Sequence, residues 1–105
     1  MFNVIGTETY SQEIQDWPTD YRLAAEKIPA KLAVNPYSGD PLNYPFLREK
    51  RIRERRVYYL IYDDLKLVLL VATSGKKDQQ ATISHIKGKL DEFREIAETI
   101  SRQAS

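Results

Sequence analysis

Two apolar runs, Val57 to Tyr62 and Leu67 to Ala72, are separated only by Asp63-Asp64-Leu65-Lys66. A crossover between parallel strands takes a dozen or more residues, so these runs can pair only as an antiparallel hairpin turning at Asp63-Asp64. Each run is apolar at nearly every position rather than at alternate ones, which predicts central strands covered on both faces. The expected strands span Arg55 to Tyr62 and Lys66 to Thr73, and a further strand, Leu47 to Ile52, precedes them through a turn near Arg53-Glu54.

Elements able to cover that sheet flank it. Phe2 to Gly6 alternates as a first strand. From Thr9 to Trp17, Tyr10, Ile14 and Trp17 form one apolar stripe at helical spacing, which Pro18 ends. Thr19 to Val34 places Tyr21, Ala24, Ala25, Ile28 and Leu32 on one side, and Pro29 predicts a kink or break, because it removes a backbone donor and clashes with the preceding turn. Asn35 to Pro45, rich in Pro, Asn, Asp, Ser and Gly, reads as a loop. Thr73 to Asp78 is a second polar loop, and Ile86, Leu90, Phe93, Ile96 and Ile100 give the closing segment the period of one amphipathic helix. With 105 residues, 42 % of them hydrophobic, a single domain over residues 1–105 is expected. Its class is α+β: an N-terminal strand and two helices packed on a small antiparallel sheet, with a C-terminal helix.

Charge is distributed unevenly. Met1 to Leu47 has three basic and six acidic residues, Arg48 to Lys89 eleven and five, and Leu90 to Ser105 two and four, within a net charge of +1. The densest stretch is REKRIRERRVYYLIY, Arg48 to Tyr62, where six Lys or Arg residues run into a buried strand. Such a patch suits a polyanion; the plain alternative is a strand edge kept soluble by its charges. Glu49 and Glu54 read as surface charges tempering the cluster.

Other chemistry is excluded by composition. There is no cysteine, a single His85, no glycine-rich phosphate loop and no carboxylate-rich cluster, so no metal or cofactor is expected. No apolar run is long enough to cross a bilayer, and a cytoplasmic location without membrane contact is expected. Arg and Lys without metal ligands suit electrostatic and acid-base catalysis on a phosphodiester: Arg can pair with two phosphate oxygens, and Lys can act as a point charge or a base.

The order β, α, α and three antiparallel strands, with NPYSGDPL before LREKRIRERRVYYLIYDD and VATSGKKDQQATI, resembles the RelE/ParE toxin superfamily over most of the chain. The RelE branch comprises metal-independent endoribonucleases that cut messenger RNA in the ribosomal A site and are silenced by a cognate antitoxin protein. The resemblance implies a RelE-like fold and a toxin whose partners are that antitoxin, mRNA and the ribosome. It also implies roles. Arg56 matches the family's strand arginine and would hold the scissile phosphate; Arg51 and Arg53 match basic positions of the preceding strand, and Lys77 the basic position of the loop after the last strand. Arg48, Lys50, Arg55 and Lys76 would contact neighbouring RNA, Arg55 from a solvent-facing position. Tyr58, Tyr59 and Tyr62 read first as sheet core, with Tyr58 the candidate for base stacking. Several members carry a catalytic Tyr where this chain has Ile83, and His85 could substitute as acid or base, or merely decorate the start of the last helix.

Two further readings stay open. One is a ParE-like toxin that binds a protein target such as DNA gyrase without cutting RNA. The other is a degenerate toxin-fold protein that binds RNA through charge alone.

Overall fold

The computed structural model describes residues 1–104. Five strands, β1 (Asn3–Gly6), β2 (Asp40–Leu42), β3 (Tyr44–Ile52), β4 (Arg55–Tyr62) and β5 (Leu67–Ser74), form one sheet in the order β1-β5-β4-β3-β2. The two apolar runs are β4 and β5, side by side in its interior.

The sheet is mixed rather than wholly antiparallel. β1 runs parallel to β5, with Asn3 opposite Leu67 and Gly6 opposite Leu70. The chain between them includes the β2–β4 ribbon and three helices, so the short-connection argument that fixes β4 and β5 as antiparallel places no limit on β1.

α1 (Glu8–Gln15) starts where the Thr7 hydroxyl accepts the Tyr10 amide at 3.2 Å. The long helix expected over Thr19 to Val34 is broken in two, α2 (Thr19–Ala25) and α3 (Ile28–Val34), with Pro29 in the first turn of α3, where its missing N–H costs nothing. The segment expected to be a loop carries a 3-10 turn, Pro36–Ser38, and the edge strand β2. Gly39 leads into β2 because a side chain there would strike the Tyr59 hydroxyl and lie 2.5 Å from the Glu49 carbonyl oxygen. That hydroxyl donates to the Pro36 carbonyl at 2.7 Å and accepts the Gly39 amide at 3.0 Å, pinning the turn to the middle of the sheet.

The single closing helix expected from Ile86 to Ile100 is also two, α4 (Gln79–Lys87) and α5 (Leu90–Ala104), parted at Gly88-Lys89. Both pieces put apolar residues toward the sheet, so the periodicity runs through the break without revealing it.

Strand alternation divides the core into two layers. Val57, Tyr59, Ile61, Val68 and Leu70 pack under α1–α3 with Tyr10, Trp17, Ile28 and Leu32. Tyr58, Leu60, Leu69 and Val71 pack on the opposite side with Leu47, Ile83 and Ile86, and Phe93 and Ile100 of α5 close that layer. A bulge between Tyr58 and Tyr59 shifts the β4–β5 register. No described helix is long and apolar enough to cross a membrane.

Candidate nucleic-acid interface

The β3–β4 hairpin turns at Arg53-Glu54, with Arg53 in the left-handed region at φ 57°. Such a turn pairs Ile52 with Arg55 and Arg51 with Arg56, while β5 sets Ser74 against the other side of Arg56. Residues alternate across the sheet from these fixed points. Leu47, Glu49 and Arg51 of β3 share a face with Arg56, Tyr58 and Leu60 of β4, the side covered by α4 and α5. Arg48, Lys50 and Ile52 share the opposite face with Arg55 and Val57.

On the α1–α3 side, the arginines of the basic run are engaged, and Lys50 is not. Arg48 donates from Nε to the Pro45 carbonyl at 2.8 Å and from Nη1 to the carbonyls of Gly39 and Tyr37 at 2.8 and 3.1 Å, while its guanidinium lies over the Tyr37 ring. It holds the β2 turn together, which argues against its expected place among RNA contacts. Arg55 is half-buried between Trp17 and Tyr21, 5.2 Å from each ring centroid, and does not face open solvent as expected. Arg53 pairs with Asp20 at 3.2 Å and covers the outer side of Tyr21, whose hydroxyl donates to Glu54. The hydrogen bond from Tyr21, with one from the backbone of Glu54 itself, lowers the pKa of the Glu54 carboxyl. The hairpin tip is thereby tied to α2, away from the Arg51–Arg56 corner. Lys50 is half-buried beside Ala30, Lys31 and Val34 of α3.

On the other side the arrangement differs. Arg51 is exposed and makes no hydrogen bond or ion pair among the described residues, and the same holds for Lys76 and Lys77 in the loop after Ser74. Arg56, directly across from Arg51, is 7 % exposed, and its Nε lies 3.1 Å from Oε2 of Glu49, itself only 3 % exposed. Neither atom has a hydrogen-bond partner among the described residues: the N–H does not point at the carboxylate, and the contact is ionic alone. Arg56 Nη1 donates at 3.3 Å to the Glu54 carbonyl. Glu49 is therefore a buried counter-charge and not the surface residue its composition suggested. Register explains why: two arginines directly opposite repel, and Glu49, diagonal to Arg56 on the same face, offsets one of them.

Tyr58 is fully buried, so it is core and offers no face for a base. Its hydroxyl meets Ser74 Oγ at 2.7 Å beside this pair, and burial raises its pKa. Ile83 is packed into the core under α4. His85 lies in the last turn of α4, not at the start of the final helix, and faces a cavity of about 640 Å³ between α1 and α5. Glu13 spans one wall of that cavity and accepts from the Thr73 amide at 2.8 Å and hydroxyl at 3.0 Å, capping β5 beyond the end of β1. None of Arg51, Arg53, Arg56 or Lys77 lines this cavity, so His85 and the cation corner are separate places.

The structure thus gathers Arg51 and Arg56 at one corner, with Lys76 and Lys77 in the loop that leaves Ser74 through Gly75, and it turns Arg48, Arg53, Arg55 and His85 to other work or other surfaces. Sequence reasoning missed the Glu49–Arg56 pair. The signal was present, since a two-residue turn at Arg53-Glu54 fixes the side on which every residue of both strands falls.

Solved structures of RelE toxins share this fold, a five-stranded sheet with helices on both sides. The isolated RelE toxin of E. coli superposes with a TM-score of 0.64 at 13 % identity, over 82 % of this chain and 99 % of that one. The intact E. coli RelBE toxin-antitoxin complex gives 0.64 at 14 % identity, over 71 % and 96 %. The RelBE2 toxin-antitoxin complex of Mycobacterium tuberculosis gives 0.62 at 20 % identity, over 70 % and 96 %. No protein-family model matches the chain, and no curated protein matches it. The chain has the RelE fold.

Proposed function

We propose that this protein is the toxin of a type II toxin-antitoxin pair, a cytoplasmic endoribonuclease that cuts messenger RNA on the ribosome and is silenced by a cognate antitoxin protein. The observation that carries the reading is the corner where Arg51 faces Arg56 across the hairpin and Lys76-Lys77 follows Ser74 on the next strand. The likeness to RelE and to RelBE complexes supports it. Arg51 takes a non-bridging oxygen of the scissile phosphate, backed by Arg56. The Lys77 ammonium offsets the charge that builds on the phosphate while solvent takes the 2′-hydroxyl proton, the 2′-oxygen bonds to phosphorus and the bond to the 5′-oxygen breaks, leaving a 2′,3′-cyclic phosphate. The leaving 5′-oxygen takes its proton from solvent. The protein added to ribosomes programmed with a defined message is expected to yield discrete fragments, and Arg51→Ala with Lys77→Ala to yield none. A message left intact by the wild type overturns the nuclease reading.

Two observations favour a second reading, the toxin that blocks a protein such as DNA gyrase: Glu49 neutralises Arg56, and Ile83, at the position the resemblance matches to a catalytic Tyr, lies buried. Inhibition of gyrase supercoiling by a protein that leaves message intact would decide for it.

A further inference from the structure

A buried pair of opposite charges at the centre of a candidate anion site needs a physical account. Removing two charged groups from water is costly and is offset only by well-aligned hydrogen bonds, which Arg56 Nε and Glu49 Oε2 do not make to each other. The pair is electrically neutral but geometrically unsaturated. A carboxylate 3.1 Å from the guanidinium also repels any anion that approaches it. A small free anion therefore gains little there. A strand of phosphodiesters is different, because Arg51, Lys76 and Lys77 are exposed and unpaired and can anchor its neighbouring phosphates.

We propose that Glu49 is the specificity-setting residue of the Arg56 seat: by cancelling the charge of Arg56, it makes the corner refuse free phosphate and accept a phosphate only as part of an anchored RNA strand. This rests on the reading that the corner receives RNA. Glu49 acts through Arg56 and touches no substrate, so it is a positioning residue. A merely structural Glu49 would lower stability on substitution, but it would not make stability depend on phosphate.

The test is thermal unfolding of the full chain titrated with inorganic phosphate against chloride at matched ionic strength. Glu49→Gln is expected to melt below the wild type in chloride and to rise by about 5 °C or more with phosphate, as the Arg56 charge, no longer cancelled, gains an external partner. The wild type and Glu49→Gln with Arg56→Gln are expected to show no such rise. A Glu49→Gln protein indifferent to phosphate, or a wild type that responds equally, overturns the proposal. Should Glu49→Gln fold in neither salt, Glu49→Asp, with its carboxylate drawn back by one methylene, supplies the reading: a phosphate response above that of the wild type supports the proposal, and an equal one overturns it. The titration contains no ribosome and no RNA. A positive result beside uncut message would remove the nuclease and keep the seat; cut message without the phosphate response would remove the seat alone.

Discussion

The two faces of the β3–β4 hairpin draw their cations from one basic stretch of sequence, yet put their arginines to opposite uses. Toward α1–α3, Arg48, Arg53 and Arg55 are bound by backbone carbonyls, a carboxylate and aromatic rings. Toward α4 and α5, Arg51 stands free and Arg56 is buried against Glu49. A dense basic stretch is therefore not one electrostatic object. Strand alternation sorts its arginines, and Arg51, left without an internal partner among the described residues, remains for an external anion, while Lys50, half-buried beside α3, is the one unpartnered cation of the run on the other face.

The sorting can be broken most forcefully at the buried pair. Arg56→Ala leaves Glu49 as an uncompensated buried charge and is expected to cost about 3–5 kcal/mol in urea unfolding, so loss of activity in that variant would report on folding as well as on phosphate contact. The double replacement Glu49→Met with Arg56→Met is expected to recover most of that loss. Next comes the pinned turn: Tyr59→Phe leaves the Gly39 amide and the Pro36 carbonyl without their buried partner and is expected to cost about 1–3 kcal/mol. On the engaged face, Arg55→Ala gives up two ring contacts and is expected to cost about 1–2 kcal/mol, whereas Arg51→Ala on the other face is expected to lie within about 0.5 kcal/mol of wild type. Equal losses at Arg51 and Arg55 would erase the distinction between the faces.

The smallest expected effect is alkaline. Burial raises the phenols of Tyr10, on the inner side of α1, and Tyr62, beside α5, from 10.0 to about 12. Their folded-state pKa values lie above the unfolded ones, so their contribution is complete below pH 10 and is lost as the pH rises from 10 toward 12. Tyr10→Phe with Tyr62→Phe should flatten the decline in stability over that window, followed by circular dichroism.

Much of this architecture was legible in the chain. β4 and β5 follow from two apolar runs and a short connection, and the break between α2 and α3 from Pro29. The parallel β1 was not legible, because its partner lies some sixty residues away and no local rule reports such a pairing. The split of the last helix was hidden by apolar residues that keep step across Gly88-Lys89. At the site, the turn at Arg53-Glu54 correctly predicted Arg51 opposite Arg56. The burial of Glu49 and the aromatic seat of Arg55 were missed for one reason: charge in a sequence is read as exposure, and here tertiary packing supplied each charge with a partner.

The most direct measurement of the central claim compares binding of a short single-stranded RNA, by fluorescence anisotropy at fixed salt, for two sets of variants. Arg51→Ala, Lys76→Ala and Lys77→Ala combined should weaken binding by about tenfold or more and flatten its salt dependence, while Arg53→Ala with Arg55→Ala should leave both unchanged. Equal weakening by the two sets would contradict the account, because the hairpin would then act as one undivided basic patch.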